Sequence, residues 1–244
     1  MRFYAVVIGT ELLNGRRHDA HFPFLLQTLN ARDWELEGLF TVADSPRLLE
    51  SVFNLIAQDK ESVMFSFGGI GATPDDYTRQ CAANVFTGGR LAVHEEGLAR
   101  MVSRFGSVNE LRKEMVNFPI GAELLANPVN QVPGFFLEKR FFFVPGFPQM
   151  AHPMIQEALD RFYPMGRQRF RMTLTAKTGE GELIDLMRRL PGSISLSCLP
   201  EMGQNGRQTV LSLSGSDKMA LDAEFALLQE GLRAREIPYE TVGV

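Results

Sequence analysis

A short apolar run, Val63-Met64-Phe65-Ser66-Phe67, leads directly into Gly68-Gly69-Ile70-Gly71-Ala72-Thr73-Pro74-Asp75-Asp76. The apolar run reads as a buried strand. Residues 77–86 after the glycine segment read as a helix, with Thr73 placed as its N-cap, Pro74 in its first turn and Asp76 at the capping-box position. Strand, glycine turn and helix start follow in that order, which fits a βα unit and little else. Such a turn presents backbone N–H groups at a positive helix end, where phosphate or carboxylate binds well. Asp75 and Asp76 beside an anion site need their charge offset, and a divalent metal held by Asp75 and Asp76 against phosphate oxygens offsets it. The competing reading is a plain βα turn whose two acids stabilise the helix macrodipole. The segment is neither a Walker A motif nor the dinucleotide fingerprint.

The rest of the chain repeats the strand and helix alternation. Residues 3–8 read as a buried strand, followed by a polar, glycine-bearing loop over residues 9–20. Residues 22–29 read as an amphipathic helix, residues 34–42 as extended, and Ser45-Pro46 opens a helix through Ile56. Strands are expected near residues 91–94 and at Phe141-Phe142-Phe143-Val144, with helices from Glu95 through Met115 and over residues 150–162. This predicts a three-layer α/β domain with a mostly parallel sheet over residues 1–164. Ligands of such sheets sit outside the carboxyl ends of the strands. Gly9, Thr10 and Glu11 after the first strand, Asp44 after the second, and Pro145-Gly146 after a later one therefore belong to the same edge as residues 68–73. On residue type alone Glu11 also reads as a first-turn acid and Asp44 as an N-cap.

After Tyr163-Pro164-Met165-Gly166 the pattern changes. Residues 168–244 read as a small α+β domain in the order strand, helix, strand, strand, helix. It carries 9 Lys and Arg against 10 Asp and Glu and no G-x-x-G loop between helices, so RNA binding is not expected of it. Structural or dimer-forming use is, and the protein is expected to be a homo-oligomer. The whole chain has a net charge of −4, which argues against a nucleic-acid role driven by phosphate neutralisation. Cys81 and Cys198, far apart and without metal spacing, fit a reducing cytoplasm, and no apolar run reaches membrane-spanning length.

The segment GGIGATPDDYTRQ resembles the signature of the molybdopterin-binding (MoCF) domain family. It is closest to the version at the N-terminus of competence/damage-inducible (CinA) proteins. Ile8-Gly9-Thr10-Glu11-Leu12-Leu13-Asn14-Gly15 is similar to the family's IGTELL-x-G. Asn127-Pro128-Val129, Pro133-Gly134-Phe135 and Pro145-Gly146-Phe147-Pro148 are similar to its NPV, PGF and PGPP elements. The resemblance implies that Gly9, Thr10, Glu11, Asp19, Gly68, Gly69, Ile70, Gly71, Ala72, Thr73, Pro145 and Gly146 surround a phosphorylated ligand. Asp44 and Asp76 take catalytic roles in that picture. It also implies a KH-like fold for residues 168–244 and a divalent metal, Mg or Co. The activity implied is a metal-dependent pyrophosphatase acting on ADP-ribose-like nucleotides. The alternatives are molybdopterin binding in molybdenum cofactor biosynthesis and a non-catalytic binding or assembly module. The chain departs from the family pattern at His21, where asparagine is usual, at Gln80 in place of glutamate, at Phe147 in place of proline, and at Asn130-Gln131-Val132. The deamidase domain that ends many CinA proteins is expected to be absent.

Overall fold

A computed structural model describes residues 1–166, 168–203 and 206–242. The chain divides into two compact units, Met1–Gly166 and Arg167–Val244. In the first, β1 (Arg2–Ile8) is followed by the single-turn α1 (Thr10–Leu13), α2 (His21–Asn30) and β2 (Leu36–Val42). Then come α3 (Pro46–Ala57), β3 (Ser62–Phe67), α4 (Thr78–Phe86), β4 (Leu91–Val93), α5 (Glu95–Phe105), α6 (Glu110–Glu114) and β5 (Asn117–Pro119). The unit closes with β6 (Glu123–Leu125), β7 (Gly134–Leu137), β8 (Phe141–Val144) and α7 (Pro148–Phe162).

The main sheet has the order β2-β1-β3-β8-β7-β6. Strands β2, β1, β3 and β8 run parallel, while β7 and β6 join antiparallel at one edge. All six residues of β3 are buried, as expected of a strand covered on both faces. Side-chain alternation splits the core into two layers. Phe3, Ala5, Val7, Phe65 and Phe67 face Leu25 and Leu29 of α2 and Met154, Ile155 and Leu159 of α7. Val6, Ile8 and Met64 face Leu49 and Phe53 of α3 and Cys81 and Ala82 of α4. The expected three-layer α/β architecture with a mostly parallel sheet is therefore the one observed. Where residues 9–20 read as a loop, a single helical turn forms after Gly9. Short strands β5, β6 and β7 were not legible in the residue pattern, while β4 lies where a strand was expected.

The second unit consists of β9 (Phe170–Ala176), a 3-10 turn (Glu180–Leu183) running into α8 (Ile184–Met187), β10 (Ser195–Gly203), β11 (Gly206–Gly215), α9 (Lys218–Ala234) and β12 (Tyr239–Val242). Its antiparallel sheet has the order β10-β11-β9-β12. Leu174 and Ala176 of β9 and Leu211 and Leu213 of β11 pack on Leu221, Phe225, Leu228 and Leu232 of α9. The expected strand order omits β12. That strand is four residues long, follows a proline and lacks a clear apolar alternation, so only its pairing with β9 reveals it. Among the described residues no helix is long and apolar enough to cross a membrane.

Candidate functional site

The carboxyl ends of β1, β2, β3 and β8 open into one cavity of about 400 Å³, within the range of roughly 300–1,000 Å³ typical of small-molecule sites. Gly68, Gly69, Ile70, Gly71, Ala72 and Thr73 form one wall. Gly9, Glu11, Asp19, Asp44, Asp75, Asp76, Pro145 and Gly146 complete the set of sequence-selected residues that line it. Thr10 alone of that set is absent from the lining. Its backbone N–H and hydroxyl both donate to Asp44 Oδ2, at 2.8 and 2.9 Å, and so tie the loop after β1 to the loop after β2.

The glycine segment is built with its carbonyls on one side. Thr78 Oγ1 donates to the Gly68 carbonyl at 3.0 Å, and Thr78 N–H donates to the Gly69 carbonyl at 3.0 Å. Arg79 Nη1 donates to the Ile70 carbonyl at 2.5 Å and also to the Gly71 carbonyl. Thr78 and Arg79 are buried, at 0% and 5% exposure, beneath the loop. In a trans peptide the N–H points opposite to the C=O. The N–H groups of Gly69, Ile70, Gly71 and Ala72 consequently face away from Thr78 and Arg79, on the cavity side. Gly71 N–H is taken by Asp76 Oδ1 at 3.0 Å, and those of Gly69, Ile70 and Ala72 have no partner among the described residues. Four successive carbonyls can share a side because Gly68 and Gly69 adopt φ of 105° and 66°. A Cβ at Gly69 would also lie 2.3 Å from Thr78 Oγ1.

The capping expectation for this segment needs correction. Helix α4 begins at Thr78 with Tyr77 at the cap, not at Thr73. Asp76 still reaches back, donors being Thr73 N–H at 2.7 Å and Gly71 N–H at 3.0 Å, but it closes a turn rather than a helix start. The helix is deferred because Thr78 bonds back onto the glycine carbonyls. Thr73 Oγ1 lies 2.5 Å from both Asp75 Oδ1 and Asp76 Oδ2, and its hydrogen bond holds the Asp75 carboxyl below the usual carboxylate range.

These contacts decide how the acids can act. Asp76 braces residues 71–73, Asp44 braces Thr10, and Asp19 accepts from the N–H groups of His21 and Phe22 at 2.8 and 3.0 Å, capping α2. Among the described residues no group of three or more His, Cys, Asp or Glu side chains converges to hold a metal ion. The divalent ion expected between Asp75 and Asp76 thus has no cage of three or more such side chains among the described residues.

Two features escaped the sequence reading. Arg79 is the more consequential: a buried guanidinium under the glycine loop, with Glu114 at 3.8 Å. Burial lowers its pKa, and Glu114 and Asp76 oppose that shift. A basic residue inside an otherwise apolar helix face, one position after Thr78, was the available signal. The second is the cavity floor. His21 is 5% exposed, stacks on Phe67 with centroids 4.4 Å apart, and donates from Nε2 to the Gly146 carbonyl at 3.4 Å. Its Nδ1 is buried without a partner among the described residues. Burial pushes its pKa down to about 4, so the imidazole is neutral at pH 7. His152 meets it edge-on at 5.3 Å and stacks on Phe24.

Comparison with known proteins fits this geometry. The family model described as a probable molybdopterin binding domain matches residues 4–164. A protein of Thermococcus kodakarensis is 31% identical over 200 residues, covering 75% of this chain and 78% of that relative. A CinA-like protein of Chlorobaculum tepidum is 27% identical over 253 residues, covering 96% of this chain and 59% of its own length. A CinA-like protein of Sulfurihydrogenibium is 30% identical over 169 residues, 66% of this chain and 42% of its own length. The chain thus spans about half the length of these two CinA-like relatives. Among solved structures, the protein CinA from Thermoplasma acidophilum superposes with a TM-score of 0.60 at 24% identity, over 66% of this chain and 98% of that one. That likeness concerns the fold.

Proposed function

The chain belongs to the molybdopterin-binding (MoCF) domain family, of the type found in CinA-like proteins, and from that premise we propose that its cavity binds a small phosphorylated ligand, a pterin phosphate or a nucleotide. The observation that carries the reading is the row of unpartnered N–H groups of Gly69, Ile70 and Ala72, turned toward the cavity by Thr78 and Arg79. Phosphate oxygens are strong acceptors, and a concave run of amides binds them without side-chain charge. The buried Arg79 guanidinium adds positive potential from below at a depth where water screens it poorly. Gly68 and Gly146 crowd this wall, a Cβ at Gly146 lying 3.4 Å from Gly68 Cα, so the ligand meets backbone rather than side chains.

A second reading is hydrolysis of a nucleotide pyrophosphate such as ADP-ribose. It is favoured by Asp44 and Asp75 lining the same cavity as the amide row. A carboxylate in that position is suited to orienting an attacking water. The acids form no metal cage, so any divalent ion in this reaction has to arrive with the substrate's own phosphate oxygens.

One experiment addresses both readings. Titration calorimetry with AMP, ADP-ribose and a pterin monophosphate measures binding. Incubation of ADP-ribose with and without Mg²⁺, followed by separation of AMP, measures turnover. Binding of at least one phosphorylated compound, lost when Gly69 is replaced by Val, is the expected result. Absence of binding by all three overturns the reading.

A further inference from the structure

The mouth of the cavity carries an aromatic side chain that the fold does not use. Phe147 lines the cavity and is 50% exposed. It occupies the N-cap position of α7 yet supplies no capping hydrogen bond, a place where Ser, Thr, Asp, Asn or Gly is normally favoured. It is also absent from the packed core on either face of the sheet. Arg17, from the loop between α1 and α2, stands over its ring at 5.5 Å from the centroid and also lines the cavity. Among the described residues only a 3.7 Å pair with Glu11 and this ring contact hold the guanidinium, whose side chain is 42% exposed. Both contacts are weak at exposed sites, so the guanidinium leaves the ring at little cost.

An exposed aromatic face, covered only by a loosely held cation, is what a planar ring would displace and stack upon. We propose that Phe147 is the stacking platform for a heteroaromatic ring, a purine or a pterin, whose phosphate lies on the Gly69, Ile70 and Ala72 amides. Arg17, once displaced, remains beside the ligand as a mobile positive charge for its anionic part. The inference rests on the phosphorylated-ligand reading and deepens it: the site distinguishes ring-bearing phosphates from simple sugar phosphates. Both ends of such a ligand meet the lining of one cavity, so no rearrangement of the sheet edge is required.

Calorimetric titrations of the whole chain with AMP, a pterin monophosphate and ribose 5-phosphate provide the test, on wild type, Phe147→Ala and Phe147→Trp. Base stacking on an aromatic side chain is generally strong enough that its removal weakens binding roughly ten-fold or more. Phe147→Ala is therefore expected to weaken the ring-bearing ligand, AMP or the pterin, by about ten-fold and to leave ribose 5-phosphate unchanged. Phe147→Trp should restore the tighter binding. Melting temperatures of all three proteins should agree closely, because Phe147 lies outside the core. Equal effects on ring-bearing and ringless ligands, or no effect of Phe147→Ala, overturn the stacking platform while leaving the phosphate site intact. Failure of all three compounds to bind wild type overturns the phosphate site and the platform with it. Comparison of AMP with the pterin identifies which ring is preferred.

Discussion

The two ends of the main sheet solve the same electrostatic problem in opposite ways. At the amino ends of β1 and β3, charges meet charges. Arg2 Nε lies 2.6 Å from Asp59 Oδ2, and Arg2 Nη2 donates to Asp59 Oδ1 at 2.7 Å. Arg140 Nη1 lies 3.8 Å from Glu138 Oε2, besides donating to the Ser62 and Asp59 carbonyls. At the carboxyl ends, Asp44 and Asp76 instead accept from backbone amides and a threonine hydroxyl, while Arg79 is spent on carbonyls. One end is closed on itself. The other commits Asp44, Asp76 and the buried Arg79 to turning a row of amides outward. The difference teaches that the acids of the open end are braces first, and that under the proposed function any affinity for phosphate is assigned to the backbone rather than to side-chain charge.

The sharpest way to break this contrast is to remove the arginine. Arg79→Met keeps the approximate volume but strands the Ile70 and Gly71 carbonyls in a buried place. Two such groups at about 2 kcal/mol each suggest a loss of about 4 kcal/mol in urea denaturation. Binding of phosphorylated ligands should disappear with it, since Ala72 N–H is no longer held toward the cavity. A variant as stable as wild type that still binds ligand means the loop conformation does not depend on Arg79.

The floor of the open end supplies the next largest effect, and it is pH-dependent. His21 has a folded pKa of about 4 against an ordinary value of 6.5. A depressed histidine pKa means that the unfolded chain binds the proton more readily. Stability is unaffected above pH 6.5, falls as pH drops from 6.5 toward 4, and levels off below. Over the full window the loss amounts to about 3 kcal/mol. Asp19 favours the proton, while Arg17 and His152 oppose it, and burial exceeds all three. His21→Asn should flatten this part of the stability curve, whatever it does to absolute stability at pH 7. Parallel curves for the two proteins between pH 6.5 and 4 would show that His21 takes no part.

Asp76→Asn follows in size. An asparagine offers one acceptor oxygen where the carboxylate uses two, so either Gly71 N–H or Thr73 N–H loses its partner. A charge-assisted hydrogen bond of this kind contributes about 2 kcal/mol. Weaker ligand binding is expected alongside, because the turn over residues 71–73 loosens. A variant of unchanged stability that loses turnover on ADP-ribose would instead make Asp76 a participant in chemistry.

Much of the open end was legible in the residues. The run from Val63 into Gly68 and Gly69 specifies a strand and a tight turn through polarity and backbone freedom, and both are local properties. Asp44, Asp19 and Pro145-Gly146 came into view because a parallel sheet gathers strand ends, so topology supplied the grouping. The helix cap was misplaced by four residues, Thr73 for Tyr77, for a physical reason. Thr73 is a competent cap by residue type, and only tertiary contact of Thr78 with the Gly68 and Gly69 carbonyls starts the helix at Thr78 instead. For Arg79 the one signal was a basic residue on an otherwise apolar helix face; its partners are backbone carbonyls, which carry no sequence signature. The antiparallel edge strands β6 and β7 were hidden likewise, since Pro133-Gly134 reads as a turn and β6 is only three residues long.

The smallest effect is expected at the closed end, and it is the control on which the contrast depends. Arg2→Ala removes the principal partner of Asp59, yet Asp59 Oδ1 keeps the Glu61 N–H at 2.9 Å and Oδ2 keeps the Tyr4 hydroxyl at 3.4 Å. The arginine side chain is half exposed, where ion pairs are screened and contribute little. Melting temperature at pH 7 should hardly move, and ligand titrations should superimpose on wild type. A difference should emerge only in acid. Arg2 is the main cause of the lowered Asp59 pKa, and a depressed carboxylate contributes stability above its unfolded pKa that is lost as pH falls through the folded one. Arg2→Ala should narrow that acid window and leave the region between pH 6.5 and 4, where His21 acts, with its wild-type slope. If Arg2→Ala instead weakens phosphate binding at pH 7, the two ends of the sheet are coupled, and the site cannot be assigned to the open end alone.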